Sequence, residues 1–358
     1  MPLPDATFDV VLGDGAFERL ADILSTHCPA SRFAIIADAS VANLYGERVL
    51  RAAATVAPAE LLTFPAGEWN KSRDSWSELT DRLLRQRFDA DGAVLTLGGG
   101  VAGDLGGFVS ATYHHGVPFV HLPTTLLAMT DSALSGRTGV DSPAGRGAIG
   151  VRRVPAVVVA DVASLGTLPP AHVAAGAAAA IRSAVTADRA YLGMLVERAR
   201  EIRQRVPDAM LDVVRRGVEL RGDLARWRQD RAGRRDAPEF GSTIRRALGS
   251  LLGYEMLYGE TLAVGMRAEA AVGIEAGVTD PEVASQLRGA LEAFGLPDAP
   301  TSQVEIPRLI EVLLDAADTE HGTVRFAVPR RVGEMADAAG GIPIAAETVD
   351  AVLRRLGW

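Results

Sequence analysis

Apolar residues fall in short continuous runs through the first half of this chain and at three- and four-residue spacing through the second. The runs Arg32-Phe33-Ala34-Ile35-Ile36-Ala37, Leu61-Leu62-Thr63-Phe64, Gly92-Ala93-Val94-Leu95-Thr96-Leu97, Phe119-Val120-His121-Leu122 and Ala156-Val157-Val158-Val159-Ala160 are bounded by turn residues and predict strands. Between them, residues 41–54 and 75–87 carry apolar positions at helical spacing. Strand and helix alternate as in a mostly parallel sheet. From Pro169 onward, Ala-, Leu- and Arg-rich stretches predict helices over 172–196, 207–229, 242–252, 259–276 and 281–294. Pro169-Pro170 breaks the pattern, with a boundary near residues 161–170. The expected architecture is an α/β unit over 1–165 and a mostly helical unit over 166–358.

Composition narrows the class. With 358 residues, 48% hydrophobic and 23% charged, the chain has enough mass for two folded units. A net charge of −8 and a pI near 5.4 argue against nucleic acid, whose phosphates need a basic face, and favour a small-molecule partner. Cys28 is the single cysteine, so neither an intramolecular disulfide nor a cysteine-rich metal site can form, which suits the cytosol. The start shows no basic region before an apolar core, and no apolar run reaches the roughly 18 residues of a membrane span. The expectation is a soluble, unprocessed, cytoplasmic protein with no membrane partner.

Among 37 lysines and arginines only Lys71 is a lysine, a bias that GC-rich coding produces on its own. Lys71 closes Gly67-Glu68-Trp69-Asn70-Lys71, and Gly98-Gly99-Gly100 follows the third predicted strand. Glycines between a strand and a helix let backbone approach a diphosphate, whose charge then meets the N–H groups of the helix N-terminus. Alone, such a loop is equally a tight turn.

Its surroundings say more. Gly98-Gly99-Gly100-Val101-Ala102-Gly103-Asp104-Leu105-Gly106-Gly107, Leu122-Pro123-Thr124-Thr125-Leu126-Leu127-Ala128-Met129-Thr130-Asp131-Ser132 and Gly136-Arg137-Thr138-Gly139-Val140-Asp141 together resemble the signature blocks of the dehydroquinate synthase family, the sugar phosphate cyclases. The resemblance extends to Thr167-Leu168-Pro169, Phe240-Gly241, Gly259-Glu260 and Arg325-Phe326. It implies an N-terminal nucleotide-binding α/β domain, a C-terminal helical domain, an active site between them, and a homodimer. It also implies NAD held by Asp38, Glu68, Lys71, Gly99, Gly100, Val101, Asp104, Thr124, Thr125, Asp131, Ser132 and Thr167. Taken singly, each hydroxyl residue of that set is also an ordinary turn or helix cap.

The family's divalent metal, usually zinc, is held by one glutamate and two histidines. At those positions the chain resembles the pattern but carries Ala179, Ser242 and Tyr258. Arg182 stands at a lysine position, and the segment usually read Gly-His-Thr-x-Gly-His-Ala is Gly241-Ser242-Thr243-Ile244-Arg245-Arg246-Ala247. His115 replaces an arginine, Arg137 and Arg146 replace lysines, and Gly147, Glu239 and Asp141 replace asparagines. Alanine, serine and tyrosine do not make an ordinary zinc site. His114, His115 and His121 are the close histidines, but the adjacent two would diverge on a regular element.

The expectation is therefore no zinc or other divalent metal and no ordinary dehydroquinate synthase activity. In its place stands a metal-independent cyclase or lyase of specialised metabolism, with a retained NAD pocket and an altered substrate. Arg182, Arg245 and Arg246 would supply positive charge to a developing oxyanion, and Tyr258, Asp141, Glu260 or His115 would move protons. Two alternatives stay open: a non-catalytic NAD-binding scaffold, and a conventional cyclase with a relocated metal site.

Overall fold

The structure, a computed structural model, describes residues 8–142, 145–230, 239–253, 255–315, 322–336 and 340–358, of which 145, 146, 148 and 223–230 are described in backbone only. Its contacts divide the chain into two units. The first comprises residues 1–168 with Met210–Val218, and the second Pro169–Ala209 with Glu219–Trp358.

In the first unit the strands are β1 (Asp9–Gly13), β2 (Phe33–Asp38), β3 (Ala59–Phe64), β4 (Ala93–Gly98), β5 (Phe119–Pro123), β6 (Arg137–Ser142), β7 (Gly145–Arg152) and β8 (Val157–Asp161). Six of them form one parallel sheet in the order β1-β8-β5-β4-β2-β3. β4, β5 and β8 are buried along their whole length, which is why they read as continuous apolar runs rather than alternating ones. Alternate residues serve opposite layers. Phe33, Ile35 and Ala37 pack with Leu20, Leu24 and Val49 on one face, and Ala34 and Ile36 pack with Leu79, Leu83, Leu105 and Val109 on the other.

Chain order reverses across β2, which has β3 on one side and β4 on the other. Sheets of this kind bind ligands outside the carboxyl ends of the strands at such a reversal, here the ends of β2 and β4, where Asp38 and Gly98 stand. β6 and β7 form a separate antiparallel hairpin. It is stitched to the Lys71 loop by a parallel bridge between Ser72 and Asp141, and the Asp141 N–H donates to the Lys71 carbonyl at 2.7 Å.

The second unit is built mainly of helices, with two short antiparallel strand pairs, Thr323–Phe326 with Ile342–Ala345 and Pro329–Arg331 with Glu334–Met335. The stretch expected as one helix over 172–196 is two, Pro170–Ala187 and Arg189–Glu197. Asp188 leaves the helical region, and its Oδ1 accepts from the Ala190 and Tyr191 N–H groups, capping the second helix. The low-complexity face, Ala174 to Ala180, has a packing reason. A Cβ on Gly259 would run into the Ala175 backbone, so the Pro170–Ala187 and Tyr258–Glu275 helices meet almost backbone to backbone. Gly265 meets the Gly241 carbonyl in the same way, bringing the Ser242–Leu252 helix against Tyr258–Glu275.

Candidate cofactor and substrate sites

In the first unit the glycine loop sits where the sequence puts it. Gly98 ends β4 at φ 149°, and Gly99 caps the Gly100–Thr112 helix with no side chain bonded to the first-turn N–H groups. A Cβ on Gly99 would stand 3.0 Å from Thr125 Cγ2, and one on Gly100 would stand 3.3 Å from Ser132 Oγ. The Ser132 hydroxyl is sealed from solvent and has no hydrogen-bond partner among the described residues. The Thr124 N–H donates to the Gly98 carbonyl at 3.0 Å, tying the next loop to this one. Uncapped N–H groups, a cradle that any Cβ would crowd and an orphaned hydroxyl are what a diphosphate fills.

Other residues of the expected NAD set are engaged structurally. Asp38 Oδ1 caps the turn after β2, accepting from the Ser40 and Val41 N–H groups at 3.0 and 3.1 Å. Its Oδ2 lies 3.5 Å from where a Gly98 Cβ would be, so the carboxylate borders the glycine loop. Thr125 Oγ1 accepts from the Ala128 N–H at 3.1 Å as a helix cap. Asp131 is buried at the end of that short helix, and Val101 lies in the first turn of the glycine helix. Thr167 Oγ1 lies 2.6 Å from the hydroxyl of Tyr45, which donates to the Ser164 carbonyl.

Lys71 gathers the charges. Its Nζ lies 3.2 Å from Glu68, 3.3 Å from Asp104 and 3.5 Å from Asp141. Burial works against the ammonium, and Asp104, Glu68 and Asp141 more than reverse that, holding it well above the ordinary lysine range. Burial pushes Asp104 up to about 6, with Lys71 opposing the rise. Three acceptors converging on one nitrogen suit a compact ammonium; a guanidinium presents a flat fork. This is a geometric reason for the chain's single lysine. Asp141, expected among the catalytic residues, belongs with this group: Oδ1 accepts from the Gly147 N–H at 2.6 Å, and Oδ2 is sealed with no hydrogen-bond partner among the described residues.

His115 is not brought to these residues. It follows the far end of the Gly100–Thr112 helix, whose 13 residues span about 20 Å at 1.5 Å per residue. It is exposed at φ 64°, beside a His114 whose Nε2 is 3.2 Å from the Phe88 carbonyl. His121, by contrast, lies inside the sheet under the glycine helix. Its Nδ1 is 2.5 Å from Thr96 Oγ1, a Cβ on Gly103 would stand 2.6 Å from its ring, and burial lowers its pKa to about 4.

In the second unit Arg182, Arg245, Arg246 and Tyr258 come together. Arg182 is 4% exposed and meets Glu239 at 3.1 Å, with Arg221 on the other Glu239 oxygen at 3.7 Å. The Arg245 guanidinium lies over the Tyr258 ring, 4.5 Å from its centre, and Arg246 Nε donates to the Ser242 carbonyl at 3.2 Å. Glu260 closes the first turn of its own helix, accepting from the Leu257 N–H at 2.8 Å, so it is a cap and not a free base. Sequence reasoning missed Arg221 and Glu269. Glu269 is fully buried and accepts from the Gly241 and Ile244 N–H groups at 2.7 and 2.9 Å, anchoring the start of the Ser242–Leu252 helix; burial raises it to about 8 against those bonds. Its partners are 25 or more residues away, so no local spacing marks it. Arg146 and residues 231–238 lie outside the described side chains.

A parallel-sheet unit with a glycine cradle at its strand-order reversal, combined in one chain with a mainly helical unit, defines a two-unit α/β and helical class. Profiles of the 3-dehydroquinate synthase N-terminal and C-terminal regions match residues 61–175 and 176–317. The chain belongs to the dehydroquinate synthase family. It is 33% identical to the 3-dehydroquinate synthase of Symbiobacterium thermophilum over 339 residues, 94% of each chain. ValA, the 2-epi-5-epi-valiolone synthase of Streptomyces hygroscopicus solved with NAD+ and Zn2+, superposes with a TM-score of 0.87 at 23% identity, covering 100% of this chain and 98% of that one. A 2-deoxy-scyllo-inosose synthase complexed with carbaglucose-6-phosphate, NAD+ and Co2+ superposes with a TM-score of 0.85 at 20% identity, covering 98% and 97%.

These relatives correct the expectation of no divalent metal, since structures with this fold hold Zn2+ or Co2+ beside NAD+. The physical reason is that three lost donors remove one ligand set and do not exclude a cation from the chemistry. The residues at the three family positions nevertheless do not fit a metal. Ala179 has no donor, Ser242 and Tyr258 offer only hydroxyls, and Arg245 and Arg246 repel a cation. Among the described residues no three His, Cys, Asp or Glu side chains group to hold one.

Proposed function

We propose that this protein is an NAD-using enzyme of the sugar phosphate cyclase type that acts in specialised metabolism on a substrate other than that of ordinary dehydroquinate synthases. The observation that carries the first half is the Gly99-Gly100 cradle with its orphaned Ser132 hydroxyl. Gly99, Gly100, Ser132 and Thr125 would hold the diphosphate, Asp38 a ribose, and the Lys71 group the nicotinamide side. Bound there, NAD supplies reversible hydride exchange with a substrate alcohol. NAD+ in ValA and in the inosose synthase supports this reading.

The second half rests on the changed side chains. Glu239, Arg245, Arg246 and Tyr258 give the helical unit a set of contacts unlike the family pattern. Arg182, held by Glu239, keeps a fixed cation where the family has lysine, suited to orient an anionic substrate and to stabilise an oxyanion. Asp104, which burial holds up at about 6 beside Lys71, would accept a proton there.

The test is to denature freshly purified protein and quantify released nicotinamide nucleotide by mass spectrometry. About one NAD per chain is expected, either as purified or after incubation and gel filtration. No nucleotide under either condition would overturn the reading.

A further inference from the structure

Arg245 differs from the arginines beside it. Arg182 and Arg221 reach Glu239, and Arg246 reaches a backbone carbonyl. The Arg245 side chain has no hydrogen bond or ion pair among the described residues, and its Nε is sealed from solvent. The guanidinium rests on the Tyr258 ring, 4.5 Å away. Burial lowers its pKa from the arginine value; Tyr258 opposes the fall, Arg246 and Arg182 add to it, and Glu239 opposes.

The fold enforces this placement. Arg245 lies in the first turn of the Ser242–Leu252 helix, Tyr258 opens the next long helix, and the two helices touch backbone to backbone where Gly241 meets Gly265. A guanidinium with one face on a ring keeps its in-plane N–H groups free for two oxygens of a planar or tetrahedral anion. Leaving a partly buried cation without an acceptor is costly, and a bound anion removes that cost.

We propose that Arg245, braced on Tyr258, binds an anionic group of the substrate, a phosphate or a carboxylate, at a subsite of the helical unit. The position is one where the family pattern has glycine, so the subsite is an addition by this chain; the assignment to substrate rests on the reading of an altered substrate above.

The experiment is calorimetric titration of the full-length protein with inorganic phosphate and, separately, malonate, repeated on Arg245→Gln, Arg245→Lys and Tyr258→Phe. The expected result is binding of one of the two anions, which identifies the group. It should weaken tenfold or more in Arg245→Gln and at least threefold in Arg245→Lys, where charge remains without the flat stack, and stay within twofold in Tyr258→Phe, which keeps the ring. Binding of neither anion, or Arg245→Gln within twofold of the parent, overturns the proposal. If Arg245→Gln loses its melting transition, Arg245→Lys decides: unchanged affinity overturns it. NAD titrated into the same variants reads the first unit separately. Loss of NAD binding in the parent defeats the cofactor reading without touching this one, and NAD affinity should not move with Arg245.

Discussion

The two units treat buried charge in opposite ways. In the first, one ammonium is surrounded by three carboxylates, with Nζ contacts of 3.2 to 3.5 Å. In the second, arginines gather around Glu239, and one of them, Arg245, rests on a ring instead of a carboxylate. Lys71 is the only lysine in the chain, and it stands where the geometry favours an ammonium. A converging three-acceptor site needs an ammonium, while stacked and forked contacts accept a guanidinium readily. On the function proposed above, the first unit would keep the cofactor-side chemistry and the second would carry the altered substrate-side chemistry.

The largest break in that comparison comes from Lys71→Met. Removing the ammonium strands Asp141, 7% exposed, with Asp104 and Glu68. Stripping one partner from a buried pair costs about 3–5 kcal/mol, and the partial exposure of Asp104 and Glu68 puts this case near the low end, about 3 kcal/mol. Chemical denaturation should show that loss, and NAD affinity should fall at least tenfold. Lys71→Arg should restore part of the stability and little of the NAD affinity.

Gly103→Ala probes the support under the cradle. The added methyl would stand 2.6 Å from the His121 ring, which is 3% exposed. Overpacking of this kind costs about 1–3 kcal/mol, and the lifted helix start should weaken NAD binding while leaving phosphate or malonate binding by the second unit unchanged.

His121 gives a smaller, graded effect. Its folded pKa, about 4, lies below the ordinary value of 6.5, so between those values the unfolded chain binds more protons. Stability contributed by the neutral ring is full above pH 6.5 and is lost as pH falls toward 4, by at most about 1.4 kcal/mol per pH unit. Denaturation curves across pH 4 to 7 should show that slope in the parent. His121→Gln should flatten it, and an unchanged slope would assign the acid sensitivity to other groups.

Much of this is legible in the sequence. The runs at Phe33, Ala93, Phe119 and Val157 announced buried parallel strands because such strands are apolar on both faces, and the glycine loop fell at the end of β4 as its spacing required. β1 was missed because Asp9–Gly13 is a short edge strand, and the β6 and β7 hairpin because Gly139, Gly145, Gly147 and Gly150 interrupt any period. Asp188 hid a helix break inside an unbroken apolar period. His115 looked close to the chemistry in sequence and lies at the other end of a 13-residue helix from the cradle. Contacts such as Arg245 on Tyr258 and Glu269 under Gly241 join residues 13 and 28 positions apart on different helices, and no periodicity within one helix reports them.

The most direct test of a retained cofactor half and a rebuilt substrate half is 3-dehydroquinate formation by NAD-saturated protein. It should be measured beside the Symbiobacterium thermophilum enzyme on that enzyme's substrate. The account predicts saturable NAD binding with product formation at least a thousandfold slower than the reference. A rate within tenfold of the reference would contradict it.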